Sequence, residues 1–168
     1  MDTRRQVQDI FQNYVFGFIK SDIEREIWLA KIAKDDEAHG RHLPGGGNLL
    51  AALGLCCYTE FLGSFITGKK GRGTSKANFV AFFRELGPGY ASFAKTEDVY
   101  DTFRCGLAHE YAVKKDCTIA MLKGKEKCGV GKTTSDAYWF VVERYFEDLM
   151  AAAAVLYQDL LKNPKLPV

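Results

Sequence analysis

Three stretches of this 168-residue chain carry side chains whose types and spacing could do chemistry. The first is Arg104-Cys105-Gly106-Leu107-Ala108-His109, an Arg followed by four residues and a His. An imidazole that titrates near neutrality can move protons to and from a reacting oxygen. A guanidinium adds a fixed charge and a planar fork of donors that matches phosphate oxygens, and the pair needs no cofactor. The second stretch is His39 and His42 beside Asp35, Asp36 and Glu37, ligand types for a divalent cation. It runs into Pro44-Gly45-Gly46-Gly47 and shows no second set of residues to orient the imidazoles, so a solvated polar loop is the preferred reading. The third, Lys127 to Thr134, ends in Gly-Lys-Thr like a phosphate-binding loop, but the first glycine of that spacing falls on Glu126. Only 34 residues follow Thr134, too few for the parallel sheet such a loop needs, so a turn rich in Gly and Lys is the better account.

The elements that must position these residues are mostly helical by periodicity. Val7, Ile10, Phe11, Tyr14, Val15 and Phe18 form the stripe of a helix that continues to about Lys34. Ser21-Asp22-Ile23-Glu24 has capping-box spacing, which leaves one helix or two open before residue 35. Asn48 is a good N-cap for a helix from Leu49 to about Ile66, apolar nearly all round and therefore central. A basic loop, Gly68 to Ser75, precedes a short helix with Phe79, Phe82, Phe83 and Leu86 that stops at Gly87-Pro88-Gly89. Thr96-Glu97-Asp98 opens the helix that carries Val99, Phe103 and Leu107 together with Arg104 and His109. Residues 117–122 and 137–142 are β-prone and read as a small hairpin. A closing helix runs from about Glu143 to Lys162, ended by Pro164. The expected fold is an all-α helical bundle, a single domain over 1–168, with a β-hairpin before the C-terminal helix.

The phrase Phe103-Arg104-Cys105-Gly106-Leu107-Ala108-His109-Glu110-Tyr111 resembles the motif helix of the HEPN superfamily, whose signature is R-x(4–6)-H. The order of elements from about Asn48 to Lys162 is also similar to that bundle. The resemblance implies a homodimer with the motif at the two-fold and a metal-independent endoribonuclease acting on single-stranded RNA through the 2′-OH, with no cofactor. Arg104 and His109 are then the catalytic candidates. Tyr111, Lys114, Lys115, Lys69, Lys70 and Arg72 are candidates for substrate binding, and Glu110 for orienting His109. A toxin–antitoxin or defence-like setting with a cognate protein partner belongs to the same implication. RNA-cleaving members usually carry Asn, Asp or His directly after the Arg, and here that residue is Cys105. Cys105 keeps open the alternative of a non-catalytic HEPN-like module that binds a nucleotide, RNA or a partner protein. On an ideal α-helix, positions 104 and 109 lie about 140° apart, so they share a face only if Arg104 reaches round or the last turn unwinds at His109; a site assembled from two copies across a symmetry axis would ease this.

Composition bounds the rest. Hydrophobic residues are 47% and charged residues 26%, which excludes a disordered chain or a coiled-coil rod. A net charge of +2 gives no global argument for nucleic acid. Locally, Lys69, Lys70, Arg72 and Lys76 together with Lys114, Lys115, Lys123, Lys125, Lys127 and Lys132 would form a basic rim attractive to phosphate. The longest apolar patch, around Leu49–Tyr58, is interrupted by Gly54, Thr59 and Glu60, so no membrane span is expected. The N-terminus lacks the apolar core of a signal peptide. Five cysteines without C-x-x-C spacing read as buried thiols. A cytoplasmic location is the expectation.

Overall fold

A spacing of four between buried residues governs the first part of the chain. Val7, Phe11, Val15, Ile19, Ile23 and Ile27 are all buried along one winding with no break. Four residues overshoot a turn of ~3.6 by ~40°, so in a pure α-helix this stripe would drift by more than half a turn between Val7 and Ile27. The computed structural model describes residues 2–38, 40, 46–110 and 116–168, the side chains of 36–38, 109 and 110 excepted, and it shows how the drift is cancelled. The winding is α-helical over α1 (Thr3–Asp9), widens to a π-helix over π1 (Ile10–Ile19), and returns to α-helix over α2 (Lys20–Ala38). A π-turn takes up more than four residues, so its drift has the opposite sign and keeps the stripe on the core. The Ser21 capping-box spacing therefore marks no second N-terminus.

The next helix, α3 (Asn48–Thr67), starts at Gly47 and ends at Gly68, both with positive φ. Asn48 is not its N-cap; its side-chain amide donates instead to the Ile119 carbonyl at 2.9 Å and ties α3 to the sheet. α3 has the length and mean hydropathy, 1.7, of a membrane-crossing helix, yet half of it is buried in the core. It packs most closely on α4 (Ser75–Glu85), where a Cβ at Gly63 would lie 1.8 Å from the Asn78 carbonyl oxygen. Gly87 and Pro88 end one helix and begin another. Proline lacks only a donor that the first helical turn leaves unpaired, so Pro88 starts α5 (Pro88–Thr96), absent from the sequence reading. The motif lies on a second π-helix, π2 (Tyr100–Glu110), whose entry is capped by the Asp98 carboxylate accepting from the Asp101 N–H at 3.2 Å. Val99, Phe103 and Leu107, again four apart, are its buried stripe.

The expected hairpin between 117–122 and 137–142 is a three-stranded sheet instead. β1 (Cys117–Ala120) pairs in parallel with β3 (Tyr138–Val141), while β2 (Val130–Lys132) pairs antiparallel with β3, giving the order β1-β3-β2. Seventeen residues, 121–137, separate β1 from β3, far more than a hairpin loop, and they house β2. The Gly-Lys segment that resembles a phosphate-binding loop contributes β2 instead, with Gly131 beneath the Trp139 ring. The molecule is mostly helical, with this small sheet beside the last helix, α6 (Val142–Lys162). α6 buries Tyr145, Phe146, Leu149 and Ala153 against the centre. Its Tyr145 stacks on Phe140 at 4.7 Å and shares a 2.8 Å hydrogen bond with Thr59, whose hydroxyl donates to Leu55 O.

Candidate functional site

Arg104 projects from π2 toward α3, where its Nε donates to Glu60 Oε2 at 2.9 Å. Both side chains are about one-fifth exposed, 21% and 20%. Burial works against the guanidinium charge, but Glu60 and its other neighbours outweigh it and raise the Arg104 pKa. A guanidinium has five N–H groups, so one bond to Glu60 does not exhaust its capacity to hold an anion. This acid partner, Glu60, lies 44 residues away in the chain rather than on π2 itself.

The pair lies on the wall of a cavity of about 270 Å³ between α3, the loop after it, α4 and π2. Cys57, Glu60, Phe61 and Ser64 come from α3, Lys70, Gly71 and Thr74 from the loop, Asn78 from α4 and Arg104 from π2. Thr67 Oγ1 donates to Asn78 Oδ1, and the Asn78 side-chain amide donates to Lys69 O at 3.0 Å. Asn78 therefore fixes the start of the basic loop against α4. The chain end holds the same loop from outside. The Lys70 N–H donates to Val168 O at 2.9 Å, and the Val168 N–H to Gly68 O at 3.1 Å. Lys69, Lys70 and Arg72 are exposed and pair with no acid among the described residues. Burial pushes the Cys57 thiol up, with Arg104 a weaker counter-influence.

The winding of π2 changes the geometry expected for the motif. A π-helical turn holds more than four residues, so positions five apart lie closer to one face than they do on an α-helix. Positions 104 and 109 of the backbone are such a pair, whereas α-helical winding would set them about 140° apart. The side chains of His109 and Glu110 lie outside the described residues, as do Tyr111, Lys114 and Lys115. His39 and His42 lie outside them too. Among the described residues no group of three or more His, Cys, Asp or Glu could hold a metal.

The single basic rim divides. Lys70 lines the Arg104 cavity and Lys69 and Arg72 lie on the same loop, while Lys76 pairs with Asp98 at 2.6 Å. Lys132 pairs with Glu97 at 3.2 Å and Asp136 at 3.1 Å, and Lys123 pairs with Glu147. A larger groove, about 520 Å³, runs between the end of α4 and α6 over Ile66, Leu86, Val155 and Leu160. Glu85, Asp148 and Asp159 edge it, a poor setting for phosphate, and no residue singled out by the sequence lies there. Ser64, Thr74 and Asn78 were missed as site residues. The available signal was an Asn inside the apolar run Asn78-Phe79-Val80, a place where a polar side chain needs partners. Compared with protein-family models, curated proteins and solved structures, the chain gives no significant match.

Proposed function

We propose that the protein is a HEPN-like, metal-independent endoribonuclease in which Arg104 and His109 act together on single-stranded RNA. The observation that supports this reading is the π-helical winding, which brings backbone positions 104 and 109 nearer to one face than an α-helix would, with Arg104 and Lys70 on the wall of one cavity. In the proposed reaction the ribose 2′-oxygen attacks the adjacent phosphorus and the bond from phosphorus to the 5′-oxygen breaks, leaving a 2′,3′-cyclic phosphate and a free 5′-hydroxyl. His109 serves as general base or acid, and Arg104 offsets the charge that builds on the phosphorane oxygens. Lys69, Lys70 and Arg72, with Tyr111, Lys114 and Lys115 after the motif, hold the strand. A homodimer, a cytoplasmic setting and a cognate protein partner complete the proposal on the strength of the resemblance. The wide winding reduces the angular gap that a second copy would otherwise have to bridge.

A second reading is a non-catalytic binding module, and the Arg104–Glu60 ion pair favours it, since an Arg engaged within its own chain can be structural. Incubating a mixed single-stranded RNA pool in EDTA with wild type, Arg104→Ala and His109→Ala separates the two. Cleavage by wild type to cyclic-phosphate ends, reduced at least about 100-fold in both variants, supports the nuclease. Binding without cleavage by folded wild type supports the module.

A further inference from the structure

Exposed aromatic rings are costly to leave in water, and two of the largest on this surface stand together. Tyr14 and Phe18, four residues apart on π1, are 48% and 67% exposed. Their ring centroids are 6.5 Å apart and tilted. Tyr14 meets Phe61 of α3 edge-on at 5.6 Å, and Phe61 lines the Arg104 cavity. Two ring-to-ring steps therefore lead from open solvent at Phe18 to the cavity wall. The Tyr14–Phe18 pair is tilted rather than stacked, and both side chains are well exposed, so ring surface stays open to solvent.

At the far end of this path the charge is positive. Glu60 is matched by Arg104, which leaves Lys70 on the cavity wall and Lys69 and Arg72 on the same loop. Sequence-tolerant binding of single strands combines these two parts, aromatic faces for bases and a cationic groove for the backbone. Stacked nucleotides rise ~3.4 Å each and unstacked ones span more, so two or three cover the ring-to-ring path. Resting on the reading that this site takes single-stranded RNA, we propose that Phe18 and Tyr14 form a base-stacking subsite that receives the nucleotides flanking the phosphate held at Lys70 and Arg104. The occupant is a nucleic-acid strand rather than an apolar protein surface because the patch runs into cations that pair with no acid among the described residues.

The test measures binding, not cleavage, by fluorescence anisotropy of labelled strands with the full chain in EDTA. Ten-nucleotide oligouridylate and oligoadenylate carrying 2′-O-methyl groups prevent turnover, and an abasic strand of equal charge reports the backbone alone. Phe18→Ala and Tyr14→Ala are expected to weaken the base-bearing strands by roughly 5- to 100-fold each and leave the abasic strand unchanged. Phe18→Trp should restore binding. Lys70→Gln should weaken all three strands alike and lower the salt dependence. Equal effects of Phe18→Ala on base-bearing and abasic strands, or no effect on either, would overturn the stacking subsite while leaving RNA binding intact. Conversion of a wild-type dimer to monomers by Phe18→Ala, read by light scattering, would also overturn it and make the patch a contact between copies. A wild type that binds no strand would remove the RNA reading together with the subsite.

Discussion

Gly63→Ala and Gly54→Ala, nine residues apart on α3, should have opposite effects on stability. A Cβ at Gly63 would sit 1.8 Å from Asn78 O and 2.5 Å from its carbonyl carbon. Carbon contacts settle near ~3.5 Å or beyond, so α4 would have to retreat by roughly 1.5 Å. Overpacking of this kind costs about 1–3 kcal/mol. The retreat also strains the hydrogen bonds that join Asn78 to Thr67 and to Lys69, worth ~1 kcal/mol each. The expected loss is about 3–5 kcal/mol, a drop in Tm of roughly 6–20 °C for a domain of this size. At Gly54 the nearest atoms, Ile23 Cδ1 and Tyr58 Cε2, are both 3.7 Å away, an ordinary contact. There Ala adds helix propensity and should stabilise by up to ~1 kcal/mol. Urea and thermal unfolding followed by circular dichroism measure both. A Gly63→Ala protein within ~1 kcal/mol of wild type would refute the close α3–α4 approach, and with it the placement of Asn78 and Thr74 on the cavity wall. The same variant should weaken strand binding, because the loop bearing Lys70 is anchored through Asn78.

Two further outcomes follow from buried polar contacts. Tyr145→Phe removes the 2.8 Å bond to Thr59 but leaves the Thr59 hydroxyl donating to Leu55 O, so no group is orphaned. The expected cost is ~1 kcal/mol in urea unfolding; a loss above ~3 kcal/mol would show that the hydroxyl does more than this one bond. Glu143 is a pH reporter. Burial alone would raise its pKa, but the Lys31 ammonium at 2.6 Å and the Lys123 N–H at 2.9 Å prevail and hold it below the usual carboxylate range. A lowered folded pKa means its contribution is complete above the unfolded value of ~4.3 and lost as pH falls through the folded one. The gap in stability between wild type and Glu143→Gln should therefore be constant near neutrality and shrink on acidification. A gap that widens toward low pH would contradict the assignment.

Much of the helical frame was legible because burial leaves a periodic trace. α3, α4 and α6 follow from apolar spacing, and the all-round apolarity of α3 marked it as central. The wide winding had a trace too, in the four-residue repeat from Val7 to Ile27, which a pure α-helix could not keep on one face. It was obscured because the i, i+3, i+4 template accepts that repeat as ordinary helix. α5 was hidden by Pro88, which halts a preceding helix and opens a following one with equal ease. The motif was legible as Arg104 and His109, but the Glu60 partner was not. Nothing local distinguishes an acid on α3 that meets π2 from one that meets water. The parallel pairing of β1 was hidden for the same reason, since strand propensity carries no record of direction.

That pairing has a kinetic consequence. β2 and β3 are joined by the five residues 133–137, whereas β1 reaches β3 across the seventeen residues 121–137. The longer closure costs ~1 kcal/mol more in chain entropy, so the antiparallel half should assemble first and β1 should dock onto a preformed edge. The strand that follows the motif helix in the chain is thus the last to join the sheet and the first to leave it. Hydrogen exchange should find the β1 amides opening more readily than those of β2 and β3, well before global unfolding.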